Sequence, residues 1–100
     1  MDNGFEVSFS KKAKNELLNA FDWYEEQSVG LGDRFLNELF SSVESFKKHP
    51  NSFVQRIKNH HEFPLQNFPF LIIYRISKKK NTVVIVSVFH AKRNPKRKYK

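Results

Sequence analysis

Cysteine is absent from this 100-residue chain, which excludes disulfide frameworks, thiolate zinc sites and cysteine nucleophiles. Glycine and proline are scarce, with three and four residues, and 39% of the chain is apolar, so the composition is that of a folded protein. No apolar run approaches the roughly 18 residues that a membrane span needs, and no basic segment leads into an apolar one near residue 1. These absences predict a cytoplasmic protein that neither enters a membrane nor is secreted.

The length of the chain leaves room for a single hydrophobic core. A chain of 100 residues buries at most about two-thirds of its unfolded surface, which excludes separate substrate and cofactor domains. We therefore predict one domain over residues 1–100, whose last part, residues 92–100, is a basic tail.

Motifs for cofactors and metals are also missing. The one close glycine pair, Gly30 and Gly32, falls between two predicted helices and forms no phosphate-binding loop. His60 and His61 are adjacent, so on an extended chain they point to opposite sides, and no HExxH spacing accompanies them. Serine, histidine and aspartate are all present, but no nucleophile-elbow motif presents a serine for a Ser-His-Asp triad. The sequence predicts no small-molecule cofactor and no metal.

Charge of one sign dominates the second half. The formal net charge of the chain is +8, yet residues 1–50 contain six basic and nine acidic side chains, whereas residues 51–100 contain twelve basic ones and the single acid Glu62. Such an imbalance indicates a partner rich in phosphates or carboxylates, although a solvated tail without a ligand is the alternative. The predicted contacts in the tail are Lys92, Arg93, Lys96, Arg97, Lys98 and Tyr99.

The first half predicts a strand followed by two helices. Residues 5–9 alternate apolar and polar side chains, as a half-buried strand does. Ser10 is placed to cap a helix over residues 11–26, and Asp33 to cap a second helix that ends before Pro50. The expected apolar stripe of the second helix is Leu36, Leu39, Phe40, Val43 and Phe46.

The second half predicts strands. A weak strand covers residues 53–58, with further pairing near 61–65, and stronger strands cover 68–76 and 82–90 around a turn at 77–81. The resulting order is β-α-α-β-β-β, an α+β fold in which a small antiparallel sheet packs on an N-terminal two-helix hairpin.

Both faces of the last two strands are apolar. Ile72 and Tyr74 point to one face while Leu71 and Ile73 point to the other. Because one helical hairpin covers one face, we expect a partner chain on the second face. The alternative is that residues 59–67 fold over it.

Basic residues near the predicted strand ends provide the candidate chemistry. Arginine can hold phosphate oxygens in pairs, and a histidine can exchange a proton near neutral pH, so an RNA-cleaving site could be built from them. The alternative is structural, with the arginines paired to acids such as Glu62 and the histidine ending a strand against the core. The candidate catalytic residues are Arg56, Arg75, His90 and Arg93.

The order of elements and two C-terminal motifs resemble the RelE/ParE superfamily of toxins from bacterial type II toxin-antitoxin systems. The motifs are the central strand at 68–75, FPFLIIYR, and the pattern His90-x-x-Arg93-x-Pro95 after the last strand. Weaker likeness comes from residues 5–10, with the helix that follows, and from the Gly32-x-x-Phe35 pattern in the second helix.

This resemblance implies a growth-arresting toxin that a cognate antitoxin neutralises, and a target that is either DNA gyrase or the translating ribosome with its mRNA. Ribonuclease members tend to carry an arginine early in the central strand and a basic residue after the last strand, where this chain has Leu71 and Ala91. The pattern is therefore more similar to the ParE branch, which implies gyrase inhibition without catalysis. A RelE-like ribosome-dependent mRNA endonuclease and a non-toxic basic nucleic-acid-binding module are the alternatives.

Overall fold

In the computed structural model, two helices pack on one face of a five-stranded sheet. The structure describes residues 5–53, 55–57 and 59–92. For residues 52 and 55–57 it describes the backbone only. The sheet order is β1-β5-β4-β3-β2, with β1 parallel to β5 and the other pairs antiparallel. The elements are β1 Glu6–Phe9, α1 Lys11–Gln27, α2 Leu31–Lys48, a 3-10 turn Pro50–Ser52, β2 Gln55–Ile57, β3 His60–Pro64, β4 Phe70–Ser77 and β5 Thr82–His90.

This architecture confirms the predicted α+β fold and its helical hairpin. The weak strand and the further pairing predicted after Pro50 are the two strands β2 and β3, so four strands follow the hairpin. The sheet is mixed and not antiparallel as predicted, because β1 pairs with β5 in parallel. This pairing places β1 at one edge of the sheet, directly before α1.

Ser10 caps α1 as predicted and also ties the helix to the sheet. Its hydroxyl accepts the backbone N–H of Ala13 at 3.0 Å and donates to the carbonyl of Val86 at 3.2 Å. Its own N–H donates to the carbonyl of Ile85 at 2.9 Å. One residue therefore ends β1, begins α1 and fixes both against β5.

The start of α2 differs from the prediction. The helix begins at Leu31, after Gly30 in the left-handed region at φ +90°, and Asp33 lies in its first turn instead of capping it. The Glu25 carboxylate accepts the N–H groups of Gly30 at 3.0 Å and Gly32 at 2.8 Å, so a side chain from α1 does the capping. A Cβ on Gly32 would lie 2.7 Å from side-chain atoms of Phe21 and Glu25, which is why the two helices approach so closely here.

The apolar face of α2 contains Phe35 and excludes Phe40. Phe35 is fully buried, whereas Phe40 is 46% exposed and touches Phe9 edge-on, with ring centroids 6.2 Å apart. Position 40 was included in the predicted stripe, but it follows Leu39 by one residue, about 100° around the helix, and so leaves the buried face. The side chains that α2 buries in the core are Phe35, Leu39, Val43 and Phe46.

We predicted that the second face of the sheet stays uncovered without a partner. This prediction is wrong for the side chains at the centre of that face. Ile73 is 0% exposed and Phe89 is 3% exposed, although both alternate with residues that face the helices. Residues 60–64 extend the sheet as β3 instead of crossing this face. A partner is therefore not required to bury Ile73 or Phe89.

Candidate functional site

A β-bulge in β5 determines where the last residues of the strand lie. Ile73 pairs with Ser87 and Tyr74 with Ile85, so Val86 has no counterpart on β4. The Glu16 carboxylate on α1 accepts the Ser87 hydroxyl at 2.8 Å and the Val88 N–H at 2.9 Å. Because a bulge bends its strand and increases the local twist, and Glu16 holds the residues after it, the end of β5 runs beside α1.

A groove of about 390 Å³ lies between α1 and the adjoining ends of β4 and β5. Trp23 is 57% exposed at this groove, and its ring meets that of Tyr24 edge-on at 5.2 Å. Burial raises the pKa of the Tyr24 hydroxyl, which stays protonated at neutral pH. The groove can accept an apolar side chain and offers hydrogen-bonding groups at its border. It is lined by Glu16, Asn19, Ala20, Trp23, Tyr24, Phe70, Val88 and His90.

His90 lies in this groove with one ring nitrogen engaged. The Lys92 N–H donates to its Nδ1 at 3.1 Å, and the ring meets Phe70 edge-on at 5.0 Å. Because Nδ1 is an acceptor, the neutral ring carries its hydrogen on Nε2. The side chain that we predicted to exchange a proton is therefore held by the turn that follows β5.

Arg75 and His90, two of the predicted catalytic residues, lie far apart. His90 pairs with Phe70, at one end of the β4–β5 ladder, whereas Arg75 pairs with Val84 near the other end. Five residues of strand separate positions 70 and 75, a distance of about 16 Å. The described part of the chain does not bring the two side chains into one site.

The other predicted residues are placed less fully. Arg56 lies in β2, at the edge of the sheet opposite β1. Lys92 is exposed in the turn after β5. The remaining predicted contacts and candidates lie outside the described residues: Arg93, Lys96, Arg97, Lys98 and Tyr99.

His60 and His61 have different surroundings, as their adjacency predicts. The His61 ring is 4% exposed, stacks on Tyr74 at 5.1 Å and has its Nδ1 2.9 Å from the carbonyl of Phe53. His60 lies opposite Arg75 in the β3–β4 ladder. Among the residues that the structure describes, no group of three or more potential ligands could hold a metal ion.

Tyr74 anchors the segment between α2 and β2. Its hydroxyl donates to the Pro50 carbonyl at 2.7 Å, and its ring stacks on Phe46 at 4.3 Å. Burial raises the pKa of this hydroxyl. Tyr74 and His61 together hold the 3-10 turn on the sheet, so both have structural roles.

Sequence reasoning missed the groove residues Glu16, Asn19 and Trp23. A weak signal was present, because position 23 directly precedes Tyr24, the last of the buried α1 residues Ala13, Ala20 and Tyr24. A large aromatic side chain in that place borders the core without entering it. The hydrogen bonds of Glu16 had no sequence signal, since they depend on the bulge.

The described architecture, a helical hairpin on a mixed sheet with a groove beside α1, defines the class as a RelE/ParE-type toxin fold. Residues 7–95 match the family model described as "ParE toxin of type II toxin-antitoxin system, parDE". The chain belongs to this ParE toxin family.

Solved structures share the fold. A chain of the chromosomal ParDE system from P. aeruginosa superposes with a TM-score of 0.77 at 13% identity, covering 91% of this chain and 100% of that one. The RelBE2 toxin-antitoxin complex from Mycobacterium tuberculosis gives 0.61 at 20% identity, with 87% and 98% covered. The isolated E. coli RelE toxin gives 0.55 at 15% identity, with 91% and 88% covered. No curated protein sequence matches the chain, and no described helix is long and apolar enough to cross a membrane.

Proposed function

We propose that this toxin acts in the bacterial cytoplasm by inhibiting DNA gyrase through binding, without a chemical step of its own. Membership of the ParE family supports this proposal. The observation that carries it is the separation of Arg75 from His90 by five register positions. General acid–base or phosphoryl chemistry needs its groups within hydrogen-bond reach of one reacting centre, and about 16 Å is too far.

We also propose that a cognate antitoxin places an apolar side chain in the groove beside α1. Trp23 is among the few described large apolar side chains that are more than half exposed, and it borders the groove beside α1. Removing an exposed indole from water gives a partner several kcal/mol of binding free energy, by an order-of-magnitude estimate. The ParDE and RelBE2 structures bear the names of toxin-antitoxin pairs, which is consistent with such a partner here.

Pulse labelling after tightly controlled induction in bacteria tests the target. Gyrase inhibition predicts that incorporation into DNA falls within minutes, before incorporation into protein, and that purified toxin blocks supercoiling by purified gyrase. His90→Ala should leave both effects largely intact, because no catalysis depends on it. A prompt fall in protein synthesis with DNA synthesis spared would contradict the gyrase proposal.

The antitoxin proposal has its own test with a matched control. Trp23→Glu should preserve growth arrest but prevent rescue by the co-expressed antitoxin, since a charge would enter the groove. Val29→Glu makes the same charge change at a side chain that is 94% exposed in the loop between the helices, and rescue should persist. Equal rescue of both variants would place the antitoxin elsewhere.

One observation favours the ribonuclease alternative. His60 and Arg75 are directly opposed across β3 and β4, and Arg56 lies on the next strand, β2. These positions bring basic residues together at a distance from His90. If mRNA is cleaved on induction and Arg75→Ala abolishes the cleavage while His90→Ala does not, the ribonuclease reading is correct.

A further inference from the structure

The turn between β4 and β5 presents three consecutive lysines. Lys78, Lys79 and Lys80 are all exposed. The turn is ordered by hydrogen bonds: the Asn81 N–H donates to the Lys78 carbonyl at 3.2 Å, and the Thr82 hydroxyl to the Lys80 carbonyl at 2.9 Å. Asn81 supplies the left-handed residue that the turn requires, with φ at +51°.

The end of α2 lies at the same end of the molecule. The Phe5 N–H donates to the Lys47 carbonyl at 3.5 Å, and the Glu6 N–H to the Asn81 carbonyl at 3.0 Å. Because residues 5 and 6 are consecutive, the backbones of Lys47 and Asn81 lie within about 10 Å of each other. Two segments far apart in sequence thus bring their lysines together.

Cations outnumber carboxylates here. Glu6, whose N–H bonds to Asn81, and Glu44, which pairs with Lys47 at 3.3 Å, are exposed carboxylates of these segments. Against these two acids stand five lysines, which we call the lysine turn surface: Lys47, Lys48, Lys78, Lys79 and Lys80.

Folding accounts for some of these charges but not for the turn lysines. Lys47 and Lys48 lie in the last turn of α2, where a positive charge favours the helix dipole. None of the three turn lysines forms an ion pair with a described residue. Three adjacent like charges repel one another, and an anion bound at the turn would relieve that repulsion.

We propose that the lysine turn surface binds the phosphate backbone of duplex DNA without sequence preference. All five of its cations are lysines, whose ammonium groups contact phosphates as compact point charges rather than as planar two-donor forks. The large apolar side chains that are exposed in the described chain are Leu18, Trp23, Val29 and Phe40, all on the helices or the loop between them. With no described aromatic side chain exposed at this end to stack on bases, the surface suits a duplex rather than a single strand. This site is separate from the groove and from the basic tail.

Salt-dependent DNA binding by the purified full chain tests the proposal. Fluorescence anisotropy with a labelled random-sequence 20-base-pair duplex is followed across a sodium chloride series for Lys79→Gln/Lys80→Gln. We expect affinity near 100 mM salt to fall roughly tenfold, and the slope of log K against log salt to become shallower by about 2. The control Lys14→Gln/Arg34→Gln removes the same charge from exposed positions on α1 and α2 and should change affinity less than about threefold.

Equal losses in the two variants would overturn the proposal in favour of net charge alone. Tighter binding of a single strand of the same length, or displacement of the duplex by polyglutamate at matched charge, would overturn it in favour of another polyanion. Circular dichroism confirms that both variants are folded. No gyrase is present, so this result stands apart from the proposed inhibition.

Discussion

The carboxylates of the helical hairpin and the lysines of the lysine turn surface differ in what they do within the molecule. Glu16, Glu25 and Glu38 each accept at least one backbone N–H group from another segment, namely the end of β5, the start of α2 and the loop before β4. Among the turn lysines, by contrast, none pairs with a described residue. The acidic first half thus uses several of its charges to hold the fold, whereas the basic second half leaves lysines exposed to a partner.

Net charge therefore says little about where a partner binds until the internal contacts are known. A carboxylate that satisfies buried N–H groups is costly to remove, because the donors lose their acceptor. An exposed lysine is cheap to remove for folding and matters only to what binds it. The three carboxylates should form a series whose effect on stability decreases as the groups that they satisfy become more exposed.

Glu16 should give the largest effect. Glu16→Ala leaves the N–H of Val88, a residue only 2% exposed, and the Ser87 hydroxyl without their acceptor. We expect the free energy of unfolding to fall by about 2–4 kcal/mol, measured by urea denaturation. Lys79→Ala is the contrasting variant and should stay within about 0.5 kcal/mol of the wild type. Similar losses in both would remove the distinction between the two regions.

Glu25 should follow. Glu25→Ala removes the acceptor for the Gly30 and Gly32 N–H groups at the start of α2, and losing such a cap costs about 1–2 kcal/mol. The neighbouring exposed Glu26 provides the control, because Glu26→Ala changes the charge equally and should cost less than about 0.5 kcal/mol. If Glu26→Ala lowers the free energy of unfolding as much as Glu25→Ala does, the charge of the hairpin, and not capping by Glu25, stabilises α2.

The sequence was sufficient to predict the helical hairpin and the main strands, because their signals were local. The Ser10 cap, the alternation in β1 and the apolar runs of β4 and β5 each depend on a few consecutive residues. The start of α2 was misplaced because Glu25 reaches its N–H groups across the interhelical loop. Asp33, a good capping residue by type, was simply too late in the chain.

The candidate site was less accessible from sequence. Arg75 and His90 are both basic residues in or at the end of apolar strands, but only the antiparallel register shows that they lie at opposite ends of one ladder. The hydrogen bonds of Glu16 to Ser87 and Val88 depend on the bulge at Val86, a single extra residue that no composition or periodicity reveals.

Glu38 should give the smallest effect, one that is present near neutral pH and lost in acid. Slight burial tends to raise the pKa of this carboxyl, but the hydrogen bonds from Asn67 and Gln66 outweigh it and hold the pKa below 4.5. A lowered pKa means that the carboxylate stabilises the fold above its unfolded pKa and loses this contribution as the pH falls through the folded value. The difference in stability between the wild type and Glu38→Gln should therefore shrink between pH 5 and pH 3, as measured by urea denaturation at each pH. Parallel curves would mean that the loop at Gln66 and Asn67 is held without the charge, and the series of structural carboxylates would then end at Glu25.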